Sequence, residues 1–119
     1  MLEGKWHIHS VDYGGEALPD RHGQLHIIAG RFSLQIAGTP RQVGAAELDP
    51  SAQPAASLDL VWHESGAETR RLRAIVRVRG ELMQFCYYPD AALPRPSAFA
   101  SNGTPPAILV RCRRVEPAP

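Results

Sequence analysis

The sequence predicts an all-β protein in which one domain, residues 1–119, forms an antiparallel eight-stranded up-and-down barrel. Two observations predict this class. Eight short segments alternate apolar and polar residues, which is typical of strands with one buried face. In addition, 10 glycines and 11 prolines lie between the apolar segments instead of clustering, as expected for many strands joined by turns. No segment shows a convincing helical period.

The eight segments follow one another with short or medium connections between them. Ala29-Gly30 and Arg79-Gly80 each separate two neighbouring segments by the short connection of a tight hairpin. Because hairpins between successive strands are typical of a closed up-and-down barrel, the barrel is favoured over a two-sheet sandwich. The segments cover roughly residues 4–12, 24–29, 31–37, 41–48, 57–64, 70–79, 81–88 and 107–115.

The alternation also predicts strand registers, because an antiparallel pair is favourable when its apolar faces coincide. A symmetric loop between the first two segments places Ile8 opposite Ile27. The Ala29-Gly30 turn places Ile27 opposite Phe32, and the Arg79-Gly80 turn places Val76 opposite Met83. In each hairpin the apolar residues then share one face, which we assign to the barrel interior.

Length and charge exclude several classes of protein. A chain of 119 residues with 44% apolar content can bury one core without a disulfide framework or a structural metal. The formal net charge of +1 argues against nucleic-acid binding by phosphate neutralisation, and no apolar run is long enough for a membrane span. The first residues lack a signal-peptide pattern, which predicts a cytoplasmic location.

Several short motifs extend along nearly the whole chain, from about residue 2 to 115. They are Leu2-x-Gly4-x-Trp6, Gly44 with Leu48-Asp49-Pro50, Gly80-Glu81-Leu82 with Cys86, Arg95-Pro96-x-x-Phe99 and a closing Arg114. This series resembles a family of small uncharacterised bacterial lipocalin-like domains, and the Gly-x-Trp element resembles the calycin signature. The resemblance implies a lipocalin-like barrel in which Trp6 closes one end beneath Arg114. It implies no activity.

The interior of an eight-stranded barrel is either filled by side chains or wide enough for one small ligand. Six side chains assigned to the interior or its mouth suit a small hydrophobic or aromatic molecule: Phe32, Leu60, Trp62, Met83, Phe85 and Tyr87. Motifs for nucleophilic or metal-dependent catalysis are missing from the sequence. We therefore expect a non-enzymatic binding protein without a cofactor, and a dry, filled core is the alternative.

A protein-interaction module is a second hypothesis. Four arginines share one side of the sixth segment and form a basic stripe, which docks an acidic partner, binds an anionic ligand or pairs with neighbouring carboxylates: Arg71, Arg73, Arg77 and Arg79. The proline-rich connection Pro89–Pro106 is either a lid or rim, or an inert loop. If the first and last strands close the barrel imperfectly, their edges permit a homodimer.

A third hypothesis is a surface metal site. The predicted register places His9 opposite His26, with His7 two residues away on the same face, and three imidazoles can bind Zn²⁺ or Cu²⁺. Solvated histidines are the alternative. Cys86 and Cys112 have no metal or redox spacing and are assigned to opposite faces, so we expect two free thiols that serve packing.

Overall fold

A computed structural model describes residues 2–115, which contain nine strands and no helix. Eight of the strands form the closed antiparallel barrel, as the sequence predicts. The strands are β1 (Gly4–Tyr13), β2 (Glu16–Ala17), β3 (Gly23–Ile28), β4 (Arg31–Ile36), β5 (Gln42–Asp49), β6 (Ser57–Glu64), β7 (Ala67–Arg79), β8 (Leu82–Tyr87) and β9 (Ile108–Arg114). None of the described residues belongs to a helix that could cross a membrane.

The barrel is closed by hydrogen bonds between its first and last strands. The order is β1-β3-β4-β5-β6-β7-β8-β9, and β9 pairs again with β1 from Tyr13 opposite Ile108 to Trp6 opposite Arg114. The short β2 adds only to the end of β1. The open edge between first and last strands, on which the expectation of a homodimer depends, is therefore not present.

One predicted register is confirmed and two are wrong. The β3–β4 hairpin turns at Ala29-Gly30 and places Ile27 opposite Phe32, as predicted. In the β1–β3 pair, however, Ile27 lies opposite Gly4 instead of Ile8. The assumption of a symmetric loop fails because β2 folds back on β1 at Asp12 and Tyr13, so the chain turns early.

The β7–β8 hairpin is shifted by two residues, because its turn is formed by Gly80-Glu81 and not by Arg79-Gly80. Val76 consequently lies opposite Phe85 instead of Met83. Gly80 has a φ of 60°, and a two-residue turn with glycine at its first central position matches the twist of the strands. Both observed registers differ from the predicted ones by an even number of residues, so the predicted inward faces remain correct.

One end of the barrel is filled by large side chains. Trp6, Leu25, Leu58 and Met83 are almost completely buried there. The Trp6 indole donates a hydrogen bond to the Leu2 carbonyl at 2.8 Å, so its polar atom is satisfied. We call this the closed end.

Arg114 covers the closed end, in agreement with the expectation from the resemblance. Its guanidinium carbon lies 4.2 Å from the centre of the Trp6 ring, and it donates a hydrogen bond to the Glu3 carbonyl. Gly4 permits this approach: it has a φ of 134°, and a Cβ there would lie 2.7 Å from the Arg114 Nη1. A side chain at position 4 would thus displace the arginine.

The connection between β8 and β9 packs against the outer wall of the barrel. Phe99 joins a second apolar cluster with Ile75, Cys86 and Leu109. Arg95 donates to the Asp59 carboxylate and to the Ala74 carbonyl. These contacts fix the connection along β6, β7 and β8.

The glycine at position 44 has no room for a side chain. Its added Cβ would lie 2.1 Å from the Val61 carbonyl oxygen and 2.7 Å from a Phe32 ring carbon. We expect Gly44→Ala to lower the free energy of unfolding by about 2 kcal/mol, because overpacking forces the backbone to move. The control is Gly103→Ala, whose Cβ would meet its nearest atom at 3.7 Å. Equal urea midpoints for the two variants would contradict this prediction.

Candidate ligand-binding cavity

The other end of the barrel contains a cavity of about 470 Å³ that opens to solvent. Its wall is mainly apolar and includes Leu34, Leu60, Leu72 and Val110 from different strands. The volume lies within the range of pockets that hold small molecules, roughly 300 to 1,000 Å³. The barrel is therefore filled at one end and hollow at the other, which combines the two alternatives that the sequence leaves open.

Four of the six predicted ligand-contacting residues line this cavity: Leu60, Trp62, Phe85 and Tyr87. Phe32 lies outside the lining and packs edge-on against Trp62, with ring centres 5.0 Å apart. Met83 is 1% exposed within the barrel core and also lies outside the lining. Both side chains face inward as predicted, but their positions along the strands place them nearer to the closed end.

Aromatic side chains form two parts of the cavity wall. The rings of Phe85 and Tyr87, two residues apart on β8, lie 6.1 Å apart and nearly parallel. Trp62 donates its indole N–H to the Gln42 Oε1 at 3.0 Å. This hydrogen bond fixes the indole at the mouth, where Tyr and Trp combine apolar area with a polar tip.

Charged and polar residues at the mouth were not predicted. Arg70 lies opposite Trp62 in the β6–β7 pair, and its guanidinium carbon is 4.6 Å from the indole centre. Arg70, Leu72 and Ala74 are two residues apart along β7 and therefore lie on the same face of the strand. This spacing is the signal from which the inward position of Arg70 could have been predicted. Arg21 also lines the mouth, but it belongs to a connection for which the sequence pattern gives no direction.

The Tyr87 hydroxyl is a proton donor at neutral pH. Burial raises the pKa of Tyr87 above its ordinary value, and the nearby Arg70 charge acts weakly in the opposite direction. The phenol therefore stays protonated, and it can donate a hydrogen bond to a ligand.

The basic stripe on the outer face of β7 is divided among different partners. Arg71 forms ion pairs with Glu47, Asp59 and Glu68 at 2.7 to 2.8 Å, so pairing with neighbouring carboxylates is confirmed for this residue. Arg77 stacks on Phe99, with the guanidinium carbon 4.2 Å from the ring centre. Arg73 donates to the Ala91 carbonyl, and Arg79 is exposed.

The structure does not bring His7, His9 and His26 together. The observed β1–β3 register places Lys5 opposite His26, so the predicted His9–His26 pair is wrong. His7 stacks on His22 instead, with ring centres 6.4 Å apart. Within residues 2–115 there is no group of three His, Cys, Asp or Glu side chains that could hold a metal ion.

Both cysteines are free and buried, as predicted. Cys112 belongs to the interior core and Cys86 to the outer apolar cluster. Burial raises the pKa of Cys112 to about 12, and burial also raises that of Cys86. Since the thiolate is the reactive form, burial and the raised pKa both lower the reactivity of these thiols.

We expect both thiols to resist Ellman's reagent in the native protein at pH 8 and to react after unfolding in guanidinium chloride. Unfolding exposes the sulfurs and returns their pKa to about 8.5. The measurement is the absorbance of released thionitrobenzoate with and without denaturant. Rapid release of one equivalent from the native protein would contradict the buried position of that thiol.

Comparisons with protein-family models, curated proteins and solved structures found no significant match to this chain.

Proposed function

We propose that this protein is a non-enzymatic binding protein that holds one small apolar or aromatic molecule in the hollow half of its lipocalin-like barrel. The cavity at the open end is the observation that carries this proposal. It has the volume of a small-molecule site and a largely apolar wall.

The arrangement of polar groups supports the same function. Trp62 and Tyr87 place aromatic surface in the cavity, while Gln42 and Arg70 hold the indole from two sides. A wall that is fixed before binding loses little conformational freedom when the ligand enters. An interaction module with a filled core, the alternative from the sequence, does not account for this hollow end.

The proposal is tested with N-phenyl-1-naphthylamine, a neutral aromatic probe that fluoresces in apolar surroundings. We expect a saturable increase in fluorescence with one site per chain. The expected Kd is in the micromolar range, which corresponds to a binding free energy of about 8 kcal/mol. The probe should also quench or shift the emission of Trp62, and Trp62→Phe should remove that change. Fluorescence that never saturates, or that is unchanged by the protein, would overturn the proposal.

A further inference from the structure

We propose that the cavity selects an amphipathic monocarboxylate whose acidic group lies at the mouth against Arg70 and Arg21, with its apolar body deeper in the barrel. This inference rests on the proposed binding function and names its ligand class. It is carried by the charges at the mouth.

The lining of the cavity contains two arginines and no acidic residue. Neither Arg21 nor Arg70 forms an ion pair within the part of the chain that the structure describes. Arg71, the next residue on β7, is neutralised by three carboxylates. The mouth therefore has an uncompensated positive charge next to an apolar cavity, a combination that favours an anion with an apolar body.

A β-bulge keeps the Glu68 carboxylate away from Arg70. Trp62 pairs with Arg70, but the next residue, His63, pairs with Glu68, so β7 has one extra residue at this point. The extra residue reverses the alternation of faces along β7, so residues on the two sides of the bulge no longer keep the same inward and outward order. Glu68 consequently points to the outer wall, where it binds Arg71, and it does not neutralise Arg70.

Arg70 is held in a position that suits carboxylate binding. One face of its guanidinium lies over the Trp62 indole, and that indole is fixed by Gln42. Stacking leaves the N–H groups at the edge of the guanidinium available, and this planar edge matches the two oxygens of a carboxylate. The Tyr87 hydroxyl, also in the lining, supplies a further donor.

The test is displacement of N-phenyl-1-naphthylamine by two competitors with the same chain, decanoate and 1-decanol. We expect Arg70→Gln to weaken decanoate binding about tenfold, because a charged hydrogen bond at the mouth is lost. The same variant should change decanol binding less than about twofold. Arg21→Gln should act in the same direction, and added salt should weaken decanoate binding more than decanol binding.

Arg79→Gln, which removes an exposed arginine from the outer wall of the same strand, is the matched control and should affect neither competitor. If the probe binds but Arg70→Gln and Arg21→Gln leave the ratio of the two affinities unchanged, the inference is overturned and the binding function stands. If Arg79→Gln weakens decanoate as much as Arg70→Gln does, the anion binds the outer wall, which also overturns it. If the probe does not bind the wild-type protein, the proposed function itself fails.

Discussion

The Leu34→Trp substitution is expected to weaken binding of N-phenyl-1-naphthylamine at least about tenfold while the protein remains folded. Leu34 lines the cavity and is only partly buried. A tryptophan side chain at this position would extend into the hollow end of the barrel and occupy the space that we assign to the ligand. Because it fills a cavity, the substitution should leave the free energy of unfolding unchanged or raise it by about 1 kcal/mol.

The matched control is Val43→Trp, which places the same side chain on the outer wall. Val43 is 56% exposed and lies on β5 opposite Ser33, the neighbour of Leu34. This variant should bind the probe as the wild-type protein does. Equal affinities for Leu34→Trp, Val43→Trp and the wild-type protein would show that the probe binds outside the cavity.

Asp59→Asn is expected to lower the free energy of unfolding by about 3 kcal/mol. The Asp59 side chain is 12% exposed and pairs with both Arg71 and Arg95, so the substitution leaves two partly buried guanidinium groups without their shared carboxylate. The loss of the Arg95 contact also frees the β8–β9 connection from the outer wall. Glu47→Gln is the control: it removes an exposed partner of the same Arg71 and should cost less than about 1 kcal/mol.

The contribution of Asp59 to the free energy of unfolding should decrease as the pH falls. Burial by itself raises the pKa of Asp59, but hydrogen bonds and charge from Arg95 and Arg71 outweigh burial and lower it below its ordinary value. The carboxylate therefore contributes its full stabilisation above the unfolded pKa of about 3.9 and loses it as the pH falls through the lower, folded value. Urea unfolding from pH 7 to pH 2 should show the wild-type protein approaching Asp59→Asn at the acid end. A constant difference over this range would contradict the assignment.

The sequence predicts the strands well because alternation is a local signal. The segment at 57–64 matches β6, and the other predicted segments agree with their strands to within a few residues. Registers depend on how each connection turns, which alternation does not determine. The β3–β4 register is correct because its two-residue turn allows little choice, whereas β2 shifts the β1–β3 pair.

The candidate site is only partly predictable for the same reason. Alternation assigns Phe32 and Trp62 to the interior, but it does not give their height along the barrel axis. Trp62 lines the cavity, while Phe32 packs behind it. The predicted histidine cluster depended entirely on one register and fails with it. The sequence does not single out Arg70, because the arginines on the other side of β7 form a more obvious series.

The most direct test of the hollow end is a ¹⁵N–¹H correlation spectrum recorded during titration with N-phenyl-1-naphthylamine. The chain has two tryptophans: Trp62 donates its indole N–H at the cavity mouth, and Trp6 donates at the closed end. We predict that the Trp62 indole signal shifts and saturates at one equivalent of probe, while the Trp6 signal stays in place. If the probe binds but the Trp62 signal does not move, the result would contradict a ligand site in the barrel.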